Sequence, residues 1–456
     1  MPDPATDLLA ALFGDAEVDA RFSDQARLQA MLDVEAALAD AEAHLGIIPR
    51  AAALAIRAAA RAERLDAGAL ASEAAEAGNL AIPLVRQLTR IVSAADPAAA
   101  RHVHWGATSQ DIIDTGLVLQ VRAAVPVILR HLERAEAAAA RHAREHIDTV
   151  MAGRTWLQHA TPVTFGLKAA GWLDAMDRQR IALSGALEQA RVLQFGGAAG
   201  TLAALGDRGG DVAERLAAIL ELRVPDLPWH AHRDRIATLA CALGVTCGVL
   251  GKIARDLGLL AQTEVAEAAD DLAGGSSAMP QKQNPVRASV ALAAAGRAPG
   301  LVASILAAMP QEHERGLGGW QVEWTALPEL IRVTAGASRA VGDALETLRI
   351  DPLRMRANLD STRGLVLAEA VAVSLSTHMA RREAQALVTE ASRRARTGGI
   401  SLAEALAADP AVTRWMTRDE IDRRLAPESY LGEACTFVER VLARVSGRMA
   451  ATSDER

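Results

Sequence analysis

The sequence predicts an all-α protein built on long helices. Three observations lead there: an apolar seam at helical spacing, a near absence of strand signals, and a small-residue core composition. Hydrophobic residues make up 50% of the 456 residues but aromatic residues only 3%. The core must therefore be filled by Ala, Leu and Val, whose small side chains let helix axes approach closely. A chain of this length has room for two to four domains and a large buried interior.

Residues 1–108 read as shorter helices, broken at Gly46-Ile-Ile-Pro49 and at Asp96-Pro97, and form an expected N-terminal domain. Residues 109–359 form the expected central domain. Its first long helix spans residues 111 to about 148, with Leu117, Val121, Val125, Ile128 and Leu132 on one face and Pro126 as a kink rather than a stop. The second begins after Thr161-Pro162 and continues to Phe195. The third, residues 233 to about 267, carries the seam Ile236, Leu239, Leu243, Thr246, Leu250, Ile253, Leu257 and Leu260. Three- and four-residue steps sustained this far make a heptad pattern. With no proline, that helix would reach roughly 50 Å at 1.5 Å per residue. The fourth long helix starts at Pro285 and the fifth near Trp324, with Pro299 and Pro328 as kinks. Five such helices make one bundle, and their spare apolar faces call for association with further copies. Residues 360–456 form the expected C-terminal helical domain, marked by the capping boxes Ser401-x-x-Glu404 and Thr417-x-x-Glu420.

A net charge of −7 gives no electrostatic case for a nucleic-acid partner. Cys241, Cys247 and Cys435 form no CxxC pair and no disulfide framework, which suits a reducing cytoplasm. The start Met-Pro-Asp-Pro lacks the basic-then-apolar order of a signal peptide. The longest uncharged run, 236–251, is shorter than a membrane span needs, so no membrane partner is expected. His102/His104 and His230/His232 lack the i, i+4 spacing of a helical zinc pair, and with no HExxH and no matched Cys/His set no metal site is expected in the chain.

Chemistry concentrates in four segments. Gly275-Ser-Ser-Ala-Met-Pro-Gln-Lys-Gln-Asn-Pro285 sets two hydroxyls, an ammonium and an amide in a loop hinged by Gly274, Gly275, Pro280 and Pro285. Folded over a small anion, it would present Ser276 or Ser277 as a base and Lys282 as a counter-charge. Asn284-Pro285 reads as an N-cap with proline at the first helical position, and the helix behind it would favour a bound carboxylate. The same residues also suit a linker. In His104-Trp-Gly-Ala-Thr-Ser-Gln-Asp111, Thr108 and Ser109 precede a long helix and form either a carboxylate cradle or a plain cap. In Gly153-Arg-Thr-Trp-Leu-Gln-His-Ala-Thr-Pro162, Thr155 and Gln158 suit a site that Trp156 would wall, or a helix-start loop with a buried tryptophan. In Glu312-His-Glu-Arg-Gly-Leu-Gly-Gly-Trp320, Arg315 precedes a glycine-rich turn and suits a bidentate carboxylate clamp or a solvated turn.

The G-S-S-x-M-P-x-K-x-N-P segment resembles the signature of the fumarase/aspartase/argininosuccinate lyase superfamily. The Thr-Ser-x-Asp and Thr-x-x-Gln-x-Ala-x-Pro segments are similar to two further regions of the same superfamily. Gly197-Ala-Ala-Gly-Thr201 and Arg233-Asp-Arg235 extend the likeness over almost the whole chain. The resemblance implies a three-domain all-α subunit and a homotetramer whose active sites draw on three subunits. It implies a small polycarboxylate substrate, no cofactor and a lid serine as acid or base. His104 would serve catalysis; Thr108, Ser109, Thr155, Trp156, Gln158, Lys282, Asn284 and Arg315 would bind substrate. Trp156 stands where fumarases and adenylosuccinate lyases carry histidine. Those enzymes expel leaving groups that benefit from protonation, whereas a departing carboxylate needs none. The blocks beginning at His104, Arg154 and Gly316 most resemble the superfamily's cycloisomerase branch, and Trp156 is in keeping with that resemblance. A carboxylated or sulfonated substrate, a fumarate-releasing lyase and a non-catalytic helical oligomer all stay open.

Overall fold

The computed structural model describes residues 8–270, 274–275 and 278–454. It is all-α, with five long helices at Ser109–Glu145, Phe165–Ala190, Asp234–Leu260, Val286–Ala308 and Gly319–Glu346. The seam read from residue 236 to 260 is buried at every position, as are Leu117, Val121, Val125, Ile128 and Leu132. Pro126, Pro299 and Pro328 all lie inside continuous helices. Both capping boxes form, with the Ser401 and Thr417 hydroxyls accepting from the Glu404 and Glu420 amides.

Several boundaries differ from expectation; the second long helix, expected to continue to Phe195, ends at Ala190. The helix expected from Thr161 starts at Phe165, because residues before it form an antiparallel hairpin of Val150–Thr155 and Gln158–Thr164. The helix expected to reach residue 267 ends at Leu260, where the Glu267 amide turns back to the Leu260 carbonyl and Ala268–Asp270 pairs with Leu348–Ile350. The helix expected near Trp324 begins five residues earlier, at Gly319.

The chain divides into two compact units, and each long helix contributes residues to both. The first comprises residues 1–133, 179–251 and 290–340. In it the Asp24–His44 helix packs on Arg50–Ala59 and Gly209–Leu220. Gly336 admits the end of the Leu8–Phe13 helix so closely that a Cβ there would fall 1.8 Å from the Phe13 carbonyl oxygen. Gly251 likewise lies against Ala295, whose Cβ would be 2.4 Å away. This is the close helix approach that an aromatic-poor core allows.

The second unit comprises residues 134–178, 252–289 and 341–456. Its C-terminal helices enclose an apolar cluster that includes Val371, Leu375, Val388, Leu402, Leu406 and Ile421. The hairpin packs on the Pro352–Asp360 helix and is pinned by Arg154, which donates to both oxygens of buried Glu267 at 2.6 and 2.8 Å. Asn358 holds the same carboxylate at 2.8 Å.

By length and composition, Ser109–Glu145, Asp234–Leu260 and Val286–Ala308 are each apolar enough to cross a membrane, although the uncharged run 236–251 alone is too short. The chain buries 78% and 56% of the first two apolar windows but only 28% of the third. Val286–Ala308 therefore offers apolar surface that the chain itself does not cover.

Candidate active site

Asp111 organises the polar end of the first unit. It stands on the first turn of the Ser109–Glu145 helix and is fully buried. Its carboxylate accepts from the Thr108 amide at 3.0 Å, the Gly196 amide at 3.0 Å and the Gly197 amide at 2.9 Å. His230 Nε2 lies 2.7 Å away on the same carboxylate. One side chain thus fixes the Thr108–Ser109 turn, the glycine turn at 196–197 and the segment that leads into the Asp234–Leu260 helix. Thr108 and Ser109 remain half-buried at the start of the long helix, whose first amides point outward past them.

Arg315 is brought to this turn. Its Nε donates to Gln110 Oε1 at 3.0 Å and its Nη2 to the Ala198 carbonyl at 3.1 Å. Gln110 is buried and donates in turn to the His230 carbonyl at 2.9 Å and Asp114 at 3.1 Å. A guanidinium held by neutral oxygens keeps its charge uncompensated, as an anion site requires.

His104 adjoins the turn in left-handed backbone, with φ of 61°. Its Nδ1 is 2.6 Å from Oε1 of Glu35, whose side chain is fully buried. Burial works against a charged imidazole here, but Glu35 and, more weakly, Asp111 outweigh it and raise the His104 pKa. The Glu35–His104 pair therefore favours the charged form of the imidazole beside the turn. One helical heptad from Glu35, Glu42 is completely buried, neither oxygen has a hydrogen-bond partner, and burial with the nearby Glu35 pushes its pKa up to about 8.

Beneath the cradle Arg233 donates to Asp114 at 2.7 and 3.2 Å and to Glu323 at 2.9 Å, and stacks over Trp229 with 4.6 Å to the ring centroid. Trp320 Nε1 donates to Asp114 at 2.9 Å. Burial raises the Glu323 pKa despite the guanidinium. The network locks the start of the Gly319–Glu346 helix, directly after the Arg315 turn.

The other candidates belong to the second unit. Thr155 and Gln158 pair across the hairpin end, and Trp156 and Leu157 form its two-residue turn with φ of 50° and 61°. Positive φ at both central residues is the type I′ geometry. Trp156 is 98% exposed, so it is neither buried nor in a helix-start loop. Lys282 is exposed. Asn284 pairs through its backbone with Gly274 at 2.8 and 3.0 Å, and its amide donates to the Gly275 carbonyl at 3.2 Å. The N-cap expected at Asn284 is therefore not formed: the side chain closes the neck of the loop, and the helix begins at Val286. Arg287 braces that neck through Asp270 at 2.8 Å and Thr347 at 2.8 Å. Ser276 and Ser277 lie outside the described residues.

Residues 15–300 match the family model described as Lyase, and residues 364–441 match Adenylosuccinate lyase C-terminus. The chain belongs to the fumarase/aspartase lyase superfamily. It is 51% identical to the 3-carboxy-cis,cis-muconate cycloisomerase of Pseudomonas aeruginosa over 96% of both chains. The crystal structure of 3-carboxy-cis,cis-muconate lactonizing enzyme from Pseudomonas putida superposes with a TM-score of 0.91 at 47% identity, covering 96% of this chain and 98% of that one. A nitrosuccinate lyase of Streptomyces davaonensis is 44% identical over 95% of this chain and 94% of its own length. The sequence pointed to the Thr108–Ser109 turn, His104 and Arg315, which the fold brings together, but not to Gln110, Asp111 and His230, which hold that turn and Arg315, nor to Glu35, which holds His104. Glu35 and Glu42 were legible in principle: with Met31, Leu38 and Leu45 they fall on one heptad stripe of an apolar helix.

Proposed function

We infer that this chain is a 3-carboxy-cis,cis-muconate cycloisomerase, acting in aromatic degradation by the β-ketoadipate pathway. The observation that carries the inference is end-to-end identity of 51% with a cycloisomerase. Trp156, standing where other lyases of the superfamily carry histidine, supports it. One substrate carboxylate adds through oxygen to the neighbouring double bond, and the electron pair moves onto the adjacent carbon as an enolate-like dianion. Thr108, Ser109, Lys282, Asn284 and Arg315 bind the carboxylates, with Thr155, Trp156 and Gln158 lining the site. Cations and helix amides stabilise the developing charge. Ser276, with Ser277 as alternate, delivers the proton and takes it back in lactone opening; His104 holds a carboxylate through the charge that Glu35 supports. No cofactor takes part.

The domain plan 1–108, 109–359 and 360–456 and a homotetramer with shared sites complete the reading. The uncovered Val286–Ala308 helix supports the tetramer, crystallised relatives support a soluble protein, and three cysteines without a disulfide pattern suit the cytoplasm.

The test follows the ultraviolet absorbance of 3-carboxy-cis,cis-muconate with purified protein, with and without EDTA. Rapid EDTA-insensitive loss is expected, abolished by Ser276→Ala. The nitrosuccinate lyase likeness and the adenylosuccinate lyase C-terminal match favour elimination as the second reading. Turnover of nitrosuccinate or adenylosuccinate, with the muconate untouched, would install that reading instead. Turnover of only a sulfonated muconate would reassign one carboxylate position.

A further inference from the structure

Away from the cradle, the last turn of the Ser109–Glu145 helix carries His142-Ala-Arg-Glu145-His146. The two histidines stand four residues apart, the spacing that places both rings on one helix face. The rings are near-parallel, with centroids 6.2 Å apart and 19° between planes, and both meet the edge of Phe165. A ring nitrogen of each and a carboxylate oxygen of Glu145 all lie within 4.8 Å of one another.

The hydrogen bonds show which nitrogen of each ring is already engaged. His142 Nε2 is 2.8 Å from the Leu345 carbonyl, which only accepts, so this nitrogen carries the proton. His142 Nδ1 then holds the lone pair, and it is buried without a partner on a side chain only 4% exposed. His146 Nδ1 is 3.1 Å from Thr149 Oγ1, which leaves its Nε2 for another role. Metal-bound histidines characteristically hold their second nitrogen in such a bond, which fixes tautomer and ring orientation. Arg141 opposes a cation beside His142, while Glu145 and Asp148 favour one.

We propose that His142, Glu145 and His146 form a binding site for one divalent transition-metal ion of the zinc class, open to solvent on the Glu145 side. Donors on a tetrahedral zinc ion sit about 3.4 Å apart, roughly 1.6 times the bond length. From within 4.8 Å the closure is at most about 1.4 Å, to which the exposed Glu145 side chain contributes. Two imidazoles and one carboxylate select zinc, cobalt or nickel over magnesium or calcium. The site takes no part in the proposed cycloisomerisation and stands or falls apart from it.

The test is equilibrium dialysis of EDTA-stripped protein against zinc, with cobalt absorption spectra reporting imidazole ligation. One equivalent per chain is expected in the unaltered protein. His146→Ala should weaken binding by about tenfold or more and abolish the cobalt spectrum. Glu145→Gln should weaken it less. His142→Ala removes the donor to Leu345 and can fail to fold; His146, at the rim, keeps the test intact. Zinc bound equally by the His146→Ala protein would overturn the assignment, as would less than one equivalent on the unaltered chain or equal affinity for magnesium.

Discussion

Replacing Glu42 by glutamine exchanges a carboxyl for an amide of the same shape at a site that admits no solvent. Burial and the nearby Glu35 push the native carboxyl up to about 8 from an ordinary value of 4.5. At about 1.36 kcal/mol per unit, the neutral form is favoured over the charged form by roughly 5 kcal/mol in the fold. Since the folded pKa lies above the unfolded one, this stability is fully present below pH 4.5. It falls steadily as pH rises and is gone once pH has passed through about 8. Glutamine carries no charge, so the variant loses nothing over that window. Urea unfolding of both proteins at fixed concentration, from pH 5 to pH 9, isolates the difference because every other titrating group is shared. Glu42→Gln should gain on the parent by about 1 kcal/mol per pH unit up to pH 8 and level off beyond. A difference that stays constant across the range would refute the reasoning and mean that Glu42 is already charged or solvated in the native protein.

Arg233→Met should destabilise the first unit by about 3–5 kcal/mol, because Asp114 and Glu323 would stay buried without their counter-charge; thermal unfolding reads this directly. Arg315→Ala, at an exposed position, should leave the melting temperature unchanged. It should lower kcat/KM for the muconate by roughly ten- to hundredfold, the worth of about 1.5–3 kcal/mol for a charge-assisted contact. Trp156→Asn keeps a residue that tolerates left-handed backbone, so stability should move by less than about 0.5 kcal/mol. A fall in kcat/KM without a change in stability is the expected result, and unchanged kinetics would remove Trp156 from the site.

The five long helices were legible because each has a buried face repeating at helical spacing, and the 236–260 seam needed nothing else. The hairpin was not. Its turn is Trp156-Leu157, two bulky residues in left-handed backbone, where a sequence reader looks for Asn-Gly or Asp-Gly. Asn284-Pro285 carries the letters of a helix cap, yet the amide finds the Gly275 carbonyl across the loop first. The polar turn around Asp111 was half legible: Thr108, Ser109 and Arg315 stand out in the sequence by their side-chain types. Glu35, Asp111 and Arg233 do their work from inside, and a charged residue in a helix reads by default as a solvated one.

The Asp111 knot separates the frame of the cradle from its lining. Thr108, Gly196, Gly197 and His230 come from three distant stretches of chain, yet their positions are set by one carboxylate that touches no solvent. Arg315, bonded instead to Gln110 and the Ala198 carbonyl, is exposed at the rim. Such a layout lets the rim be rewritten for a different acid while the anchoring geometry stays where it was. For anyone redesigning this lyase, changes of substrate belong in the rim residues, and Asp111 is the position to leave alone.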